Sequence, residues 1–190
     1  MKVVEIFDSI QGEGRYMGYQ CTFIRLAGCN LACDFCDEAL KYKDAKDMDV
    51  LDIIKHVNYK HVVITGGEPT VQPFYEDIAM LLVERGHIVH IETNGTNPVD
   101  CYKNFWVTVS PKGPKYECNC KFDEMKLVVD DKLTIDTVQK LYDLAQEAIW
   151  LQPCDGPYIE DSKRKIIQWC KEYPDMCRAG IQLHKWYNER

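Results

Sequence analysis

Three cysteines, Cys29, Cys33 and Cys36, stand within one short stretch of the chain. A structural zinc ion takes four protein ligands, whereas three cysteines leave one iron of a 4Fe–4S cluster open for chemistry. Gly28 precedes the first cysteine and lets the backbone pass where a side chain would not fit. The triplet therefore indicates an iron–sulfur cluster with an open iron. A zinc loop or a set of buried thiols is the alternative that the spacing alone leaves.

A glycine pair is the second candidate, in the segment Thr65-Gly66-Gly67-Glu68-Pro69. Two glycines let the backbone approach a ligand closely, so that its amide and carbonyl groups can form hydrogen bonds with it. Glu68 can accept a hydrogen bond from an ammonium group. Taken alone, the segment is equally typical of a simple glycine turn, and the cysteines upstream favour the binding role.

Short apolar runs that predict strands alternate with helical patterns along the chain. The strands are expected at 3–7, 21–27, 61–64, 87–91, 105–109, 124–129 and 149–151. The helices are expected near 50–57, 78–86, 135–145 and 166–173. Strands separated by helices pair in parallel, and about six such units fall short of the eight in a closed barrel. The sequence predicts an α/β fold, a partial, open βα barrel of the TIM type.

Polar or glycine-rich clusters come just after the predicted strands. Besides the cysteines and the glycine pair, they contain Glu92, Asn94, Ser110, Lys112 and Gln152. The carboxyl ends of the strands form the reactive face of a βα barrel. We therefore expect these clusters, and the 9–14 loop after the first strand, at one rim. The alternative for each cluster is a polar strand end that only satisfies the helix after it.

The composition is ordinary for a soluble globular protein of 190 residues, and we expect residues 1–190 to form a single domain. A formal net charge of −7 argues against an extended nucleic-acid surface. No run approaches the roughly 20 apolar residues of a membrane span, and the start of the chain has no signal-peptide pattern. Ten cysteines in such a chain indicate metal or redox ligands in the reduced cytoplasm.

The cysteine spacing followed by Gly66-Gly67-Glu68-Pro69 resembles the radical S-adenosylmethionine (SAM) superfamily. The resemblance implies that Cys29, Cys33 and Cys36 hold a 4Fe–4S cluster whose fourth iron is chelated by SAM. It further implies that the glycine pair and Glu68 bind the methionyl amino group. The positions that it implies for the ribose and carboxylate of SAM are Glu92, Asn94, Ser110, Lys112 and Gln152.

The segment Ser9-Ile10-Gln11-Gly12-Glu13-Gly14 resembles the 7-carboxy-7-deazaguanine synthases, as do segments along the whole chain up to 182–185. The resemblance implies conversion of 6-carboxy-5,6,7,8-tetrahydropterin to 7-carboxy-7-deazaguanine with loss of ammonia, on the route to queuosine and other deazapurines. It also implies a one-electron donor such as flavodoxin or ferredoxin, a 5′-deoxyadenosyl radical that removes a hydrogen atom from carbon six, and regeneration of SAM.

This substrate carries an aminopyrimidinone edge and one carboxylate. Gln11 and Glu13 suit the edge, while Arg25 and His184 suit the carboxylate or the ring, arginine in its bidentate manner. Arg25 equally suits a structural salt bridge, and His184 equally suits a satisfied core histidine. The other positions expected at the substrate are Gly12, Thr65 and, at the end of the chain, Arg190.

Glu38 stands where members of this family usually carry a threonine or serine whose hydroxyl helps to bind Mg²⁺. A carboxylate can bind Mg²⁺, displace it or act as an internal countercharge, so the sequence leaves metal dependence open. The family resemblance implies a homodimer. The seven remaining cysteines are expected to be free thiols.

Two other functions fit part of the pattern. An activating enzyme that makes a glycyl radical on a partner protein would share the cluster, but it would have no use for Gln11 and Glu13. A small iron–sulfur electron carrier or a zinc-binding module would have no use for the glycine pair and Glu68.

Overall fold

A computed structural model describes residues 1–36, 41–100 and 104–189 of the chain. In these ranges the strands are β1 (Lys2–Ile10), β2 (Gln20–Leu26), β3 (Lys46–Asp47), β4 (His61–Gly66), β5 (Ile88–Thr93), β6 (Trp106–Val109), β7 (Glu124–Val129), β8 (Ile149–Pro153) and β9 (Cys177–Ala179). The α-helices are α1 (Val50–Lys55), α2 (Tyr75–Glu84), α3 (Ile135–Ala145), α4 (Ile159–Glu172) and α5 (Leu183–Trp186). Short 3-10 helices lie at Lys41–Asp44 and Pro69–Val71.

One sheet joins the strands of the described ranges, in the order β3-β1-β2-β4-β5-β6-β7-β8-β9. From β2 to β9 each neighbouring pair is parallel. The edge strands β3 and β9 do not pair with each other, so the curved sheet stays open along one side. The predicted partial, open βα barrel is confirmed.

The direction of β1 differs from the sequence prediction. β1 pairs antiparallel with β2, so that its last residue, Ile10, lies opposite Gln20, the first residue of β2. The loop 11–19 therefore begins at the end of the sheet opposite the cysteines, and the prediction that it shares their rim is wrong. The physical reason is the short connection, because antiparallel neighbours can be joined by a loop whereas parallel ones need a longer crossover.

Alternate residues of the strands face opposite sides of the sheet. On the outer side, apolar residues such as Ile64 and Ile91 pack with Ile53 of α1 and Leu82 of α2. A second outer cluster packs strand residues such as Leu127 against α3 and α4. These two clusters are the core, and the inner side of the sheet carries polar side chains together with apolar ones such as Phe23 and Val63.

Two successive connections depart from the predicted alternation. Within the described ranges, no α-helix lies between β5 and β6 or between β6 and β7. The loops found there pack on each other, and the Asn119 backbone N–H donates to the Gly95 carbonyl at 2.7 Å. The four helices predicted from the sequence are present as α1 to α4, although α4 begins at Ile159, earlier than predicted. No helix in the described part of the chain is long and apolar enough to cross a membrane.

Candidate active site

One cavity of about 510 Å³ opens on the inner side of the sheet. Its volume falls in the usual range for small-molecule and cofactor sites. Nearly all of the predicted site residues that the structure describes line this cavity. They are Gln11, Gly12, Glu13, Arg25, Cys29, Cys33, Cys36, Thr65, Gly66, Gly67, Glu92, Asn94, Ser110, Lys112, Gln152 and His184. Positions from both ends of the sequence therefore meet at one place.

The loop that carries the cysteines is bonded directly to the glycine pair. The Gly67 N–H donates to the Leu26 carbonyl at 3.1 Å, and the Glu68 N–H donates to the Gly28 carbonyl at 2.8 Å. A Cβ on Gly67 would collide with that same Gly28 carbonyl oxygen and with the Tyr42 hydroxyl. The approach of these two backbones thus requires glycine at position 67.

Glu68 lies behind the cavity wall and is fully buried. Its carboxylate accepts hydrogen bonds from the Thr70 N–H at 3.1 Å, the Thr70 hydroxyl at 2.6 Å, the Thr93 hydroxyl at 2.7 Å and the Asn94 N–H at 2.6 Å. These four donors come from two loops, so Glu68 fixes the loop after β4 to the loop after β5. Direct contact between Glu68 and the SAM amino group stays a prediction.

Asn94 links the loop after β5 to the cysteine loop. Its side-chain amide donates to the Asn30 side-chain oxygen at 2.9 Å, and the Asn30 amide donates to the Thr96 hydroxyl at 2.7 Å. Asn30 stands directly after Cys29, so these bonds position the first cysteine. Three loops that the sequence only suggested to be neighbours are therefore cross-linked by side-chain and backbone hydrogen bonds.

Lys112 faces the same cavity from the loop after β6. Its ammonium donates to the Ser110 hydroxyl at 2.6 Å and lies 5.8 Å from the centre of the Phe35 ring, within the cysteine loop. Burial, reinforced by the charge of Lys126, lowers the pKa of Lys112 to about 8. A carboxylate bound beside Lys112 would raise its pKa again, which is consistent with the predicted contact to the SAM carboxylate.

A cluster of charged and amide side chains lies deeper in the cavity; we call it the floor cluster. Its members are Gln11, Glu13, Glu92, Lys126 and Gln182. Lys126 Nζ donates to Glu13 Oε2 at 2.5 Å and to Glu92 Oε2 at 2.7 Å. Gln182 Nε2 donates to Glu13 Oε1 at 2.8 Å, and Gln11 Nε2 donates to Glu92 Oε1 at 3.2 Å. Each carboxylate is thus held by two donors.

Glu13 and Lys126 keep their charges although they are buried. Burial alone would raise the pKa of Glu13, but the Lys126 ammonium offsets this, and the pKa lies below its usual value. Burial alone would lower the pKa of Lys126, but Glu13 and Glu92 hold it above its usual value. Glu92 bonds to Gln11 and to Lys126, and Lys126 in turn bonds to Glu13. The contact of Glu92 with SAM stays a prediction.

Arg25 and His184 line the cavity as predicted, in different settings. Arg25 Nε donates to Glu5 at 2.9 Å, so the salt bridge that the sequence left open is present beside the cavity. The His184 ring lies against Gly12, where a Cβ would overlap Nδ1. The neighbouring Leu183 N–H donates to the Gly12 carbonyl at 2.9 Å. Gly12 is therefore the position that admits the histidine.

Two members of the floor cluster were not predicted as site residues. Gln182 belongs to the segment 182–185 that resembles the synthase family, but the resemblance assigns it no role. The sequence predicts no role for Lys126. One feature of the sequence points to Lys126: it is a lysine between apolar neighbours in the strand at 124–129. An ionisable residue in a buried strand needs an ionic partner, and Glu13 lies far away in sequence.

The residues present fit both an iron–sulfur cluster and SAM. Three free thiols, Cys29, Cys33 and Cys36, line one cavity on one loop, which is the donor set of a cluster with an open iron. On the same cavity wall, Gln152 Oε1 is buried without a hydrogen-bond partner among the described residues. A buried acceptor of this kind is satisfied when a ligand donates to it.

The chain also matches known proteins over most of its length. The family model for the radical SAM superfamily matches residues 23–150. A 7-carboxy-7-deazaguanine synthase from Methanospirillum hungatei is 45% identical over 202 residues, covering 98% of this chain and 85% of the relative. The synthase of the same name from Aquifex aeolicus is 40% identical over 203 residues, covering 97% and 92%. This chain belongs to the 7-carboxy-7-deazaguanine synthase family of radical SAM enzymes.

A further family member and a solved structure agree with this placement. The 7-carboxy-7-deazaguanine synthase from Neisseria meningitidis serogroup B is 34% identical over 197 residues, covering 97% of this chain and 92% of the relative. The crystal structure of QueE from Escherichia coli superposes with a TM-score of 0.79 at 27% identity, covering 96% of this chain and 94% of that one. The fold of this 7-carboxy-7-deazaguanine synthase family member is thus shared along its whole length.

Two predicted site residues, Glu38 and Arg190, lie outside the described residues. The expected roles of Glu38 at Mg²⁺ and of Arg190 at the substrate therefore stay predictions.

Proposed function

We propose that this chain is a 7-carboxy-7-deazaguanine synthase, which converts 6-carboxy-5,6,7,8-tetrahydropterin to 7-carboxy-7-deazaguanine with release of ammonia. The observation that carries the proposal is the single cavity lined by the three cysteines, the glycine pair and the floor cluster. A radical enzyme needs its cofactor and its substrate in contact, and the names of the relatives supply the reaction.

The chain's own residues bind the cofactors, orient the substrate and exclude water from the cavity. Cys29, Cys33 and Cys36 would hold a 4Fe–4S cluster, and the loops fixed by Glu68 would hold SAM beside it. When bound, these two cofactors supply the 5′-deoxyadenosyl radical that removes the hydrogen atom from carbon six of the pterin. Glu13, kept ionised by Lys126, accepts hydrogen bonds from the aminopyrimidinone edge and so sets which carbon faces SAM.

The decisive experiment is anaerobic reconstitution of the protein with iron and sulfide, followed by addition of SAM, a reductant and the carboxylated tetrahydropterin. Mass spectrometry should then show formation of 7-carboxy-7-deazaguanine. The matched control is Cys33→Ala, which should bind less iron and give no product. Protein that cleaves SAM yet leaves the pterin unchanged would refute the substrate assignment.

The relatives do not favour a glycyl-radical activating function. The variant Glu13→Gln distinguishes that function from the proposed synthase. The glutamine side chain keeps the shape of the glutamate but replaces one acceptor oxygen with an N–H₂ donor. That donor would face an N–H donor of the pterin edge, and no hydrogen bond could form there. We expect pterin turnover to fall at least about tenfold, while SAM cleavage without substrate continues. An activating enzyme would show no such separation.

Further parts of the proposal concern partners and surroundings. We propose a one-electron donor of the flavodoxin or ferredoxin type, Mg²⁺ binding at Glu38, a homodimer and a cytoplasmic location. Mg²⁺ dependence is tested by measuring turnover with and without a chelator. The homodimer is tested by measuring the molecular mass in solution by analytical ultracentrifugation.

A further inference from the structure

Lys126 lies where it can touch a ligand as well as the two carboxylates that hold it. Its side chain is only 10% exposed, yet it lines the cavity. An ammonium group has three N–H donors. Among the described residues it uses two of them, toward Glu13 at 2.5 Å and Glu92 at 2.7 Å. The third donor remains for an acceptor atom in the cavity.

Glu13 presents the complementary groups next to it. Its Oε1 accepts from Gln182 at 2.8 Å and its Oε2 accepts from Lys126. Each oxygen of an ionised carboxylate has about two acceptor positions, so each of them can accept one more hydrogen bond. Glu13 Oε1, Glu13 Oε2 and Lys126 Nζ therefore form a row that reads acceptor, acceptor, donor.

A pterin edge presents the opposite row: the 2-amino group and N3–H donate, and the 4-carbonyl oxygen accepts. We propose that Lys126 is a specificity-determining residue that donates a hydrogen bond to the 4-carbonyl oxygen, while Glu13 accepts from N3–H and from the 2-amino group. The inference rests on the proposed function, because it concerns the pterin that this function requires.

Glu92 is the second carboxylate that holds Lys126. It holds Lys126 in place through Oε2 and is itself held by Gln11 through Oε1 at 3.2 Å. A pteridine with a 4-amino group would turn a donor toward the Lys126 ammonium, and both donors would be left unsatisfied in a buried place. The row therefore rejects 4-amino pteridines as well as binding 4-oxo ones.

The test compares two ligands that the enzyme cannot turn over. They are the fully oxidised 6-carboxypterin and 2,4-diaminopteridine-6-carboxylate, which differ at position 4 and at N3, since N3 carries a hydrogen only in the 4-oxo form. Calorimetric titration of the reconstituted wild-type enzyme with SAM present should show at least about tenfold tighter binding of the 4-oxo ligand. Equal affinities, or tighter binding of the 4-amino ligand, would overturn the proposal without any variant.

Lys126→Met then tests the residue itself, since the methionine keeps an unbranched side chain but has no donor. We expect its affinity for 6-carboxypterin to fall by about tenfold to one-hundredfold, and the two ligands to bind within about threefold of each other. The matched control is Lys171→Met on the exposed side of α4, which should keep the wild-type preference.

A Lys126→Met protein that keeps the 4-oxo preference would refute the role. If Lys126→Met does not fold, Lys126→Gln takes its place. Its amide can donate to a 4-oxo ligand or accept from a 4-amino one, so the preference should likewise fall to within about threefold. The proposed function fails separately: wild-type enzyme would then give no 7-carboxy-7-deazaguanine, whatever its ligand preference. Product formation without a 4-oxo preference would overturn only the inference about Lys126.

Discussion

Gly67 is the residue at which the cysteine loop and the glycine pair are closest. A Cβ there would overlap the Gly28 carbonyl oxygen, which already accepts a hydrogen bond from the Glu68 N–H. Because the obstacle is backbone, relief requires a movement of the loop rather than a change of rotamer. The loop that would move is the one that carries the three cysteines predicted to hold the cluster.

Gly67→Ala should therefore weaken cluster binding. We expect the iron content after reconstitution to fall to about half or less of the four irons of an intact cluster, as measured by iron analysis and visible absorbance. The matched control is Gly156→Ala, where no atom lies within 4 Å of the added carbon. That control should keep its iron, although its backbone at φ +104° costs some stability. Full iron content in Gly67→Ala would contradict the prediction.

The residues of the site differ in how visible they were in the sequence. The cysteines and Gly66-Gly67 are visible because several constrained residues stand together in a short segment. Lys126 stands alone in an apolar strand, and its partner Glu13 precedes it by 113 positions. Pattern analysis works within short windows, so a buried ion pair between distant positions is found only when the fold brings them together.

At the scale of elements, Glu68 joins the loops that follow β4 and β5. Its carboxylate accepts from donors on Thr70, Thr93 and Asn94, and it is fully buried. An amide at this position would turn an N–H₂ group toward at least one donor. Losing a hydrogen bond to Glu68 would destabilise both loops, because this one side chain connects them.

Glu68→Gln should lower the free energy of unfolding by about 1–3 kcal/mol, the cost of leaving a buried donor without its acceptor. Urea denaturation followed by circular dichroism measures it. The matched control is Glu84→Gln at the exposed end of α2, which should change stability by less than about 0.5 kcal/mol. Equal effects of the two substitutions would show that Glu68 does not join the loops as described.

The elements were predictable to the extent that their own residues determine them. The apolar run at 61–64 was sufficient for β4, and the spacing from Ile135 to Ala145 was sufficient for α3. The direction in which β1 pairs was not predictable, because alternation of side chains is the same in parallel and antiparallel strands. The missing helices around β6 reflect loops held by tertiary contacts, which local propensity does not record.

At the scale of the whole molecule, the end of the barrel opposite the cysteines carries a cluster of aromatic rings, in which two buried histidines pack with the partly buried Tyr16 and Trp106. His61 Nδ1 and His90 Nε2 are 2.9 Å apart and share one proton between them. The Tyr16 ring lies 4.6 Å from that of His90 and 5.1 Å from that of Trp106. Burial lowers the pKa of His90 to about 4 and also lowers that of His61.

These depressed pKa values make stability depend on pH. In the folded chain the two histidines take up protons at a lower pH than in the unfolded chain, where protonation begins below about pH 6.5. Stability is thus fully present above that pH and is lost as the pH falls toward about 4. Between about pH 7 and pH 5.5, His90 should account for a loss of about 1 kcal/mol in the free energy of unfolding.

His90→Gln should remove that part of the pH dependence, whatever it does to stability at neutral pH. Urea titrations at the two pH values measure the difference. His56→Gln is the matched control, because this imidazole is exposed in the folded chain and should leave the slope unchanged. A His90→Gln protein with the wild-type slope would show that the buried pair does not resist protonation.

The contact between residues 11–13 and 182–184 has a consequence for biosynthesis. Gln182 bonds to Glu13 and Leu183 bonds to Gly12, so one wall of the cavity is made from segments some 170 positions apart. Most of the parallel strands can pair while the nascent chain is still attached to the ribosome. The pocket itself cannot form until positions 182–184 have left the exit tunnel, so competence to bind ligand arises last, after the scaffold has assembled.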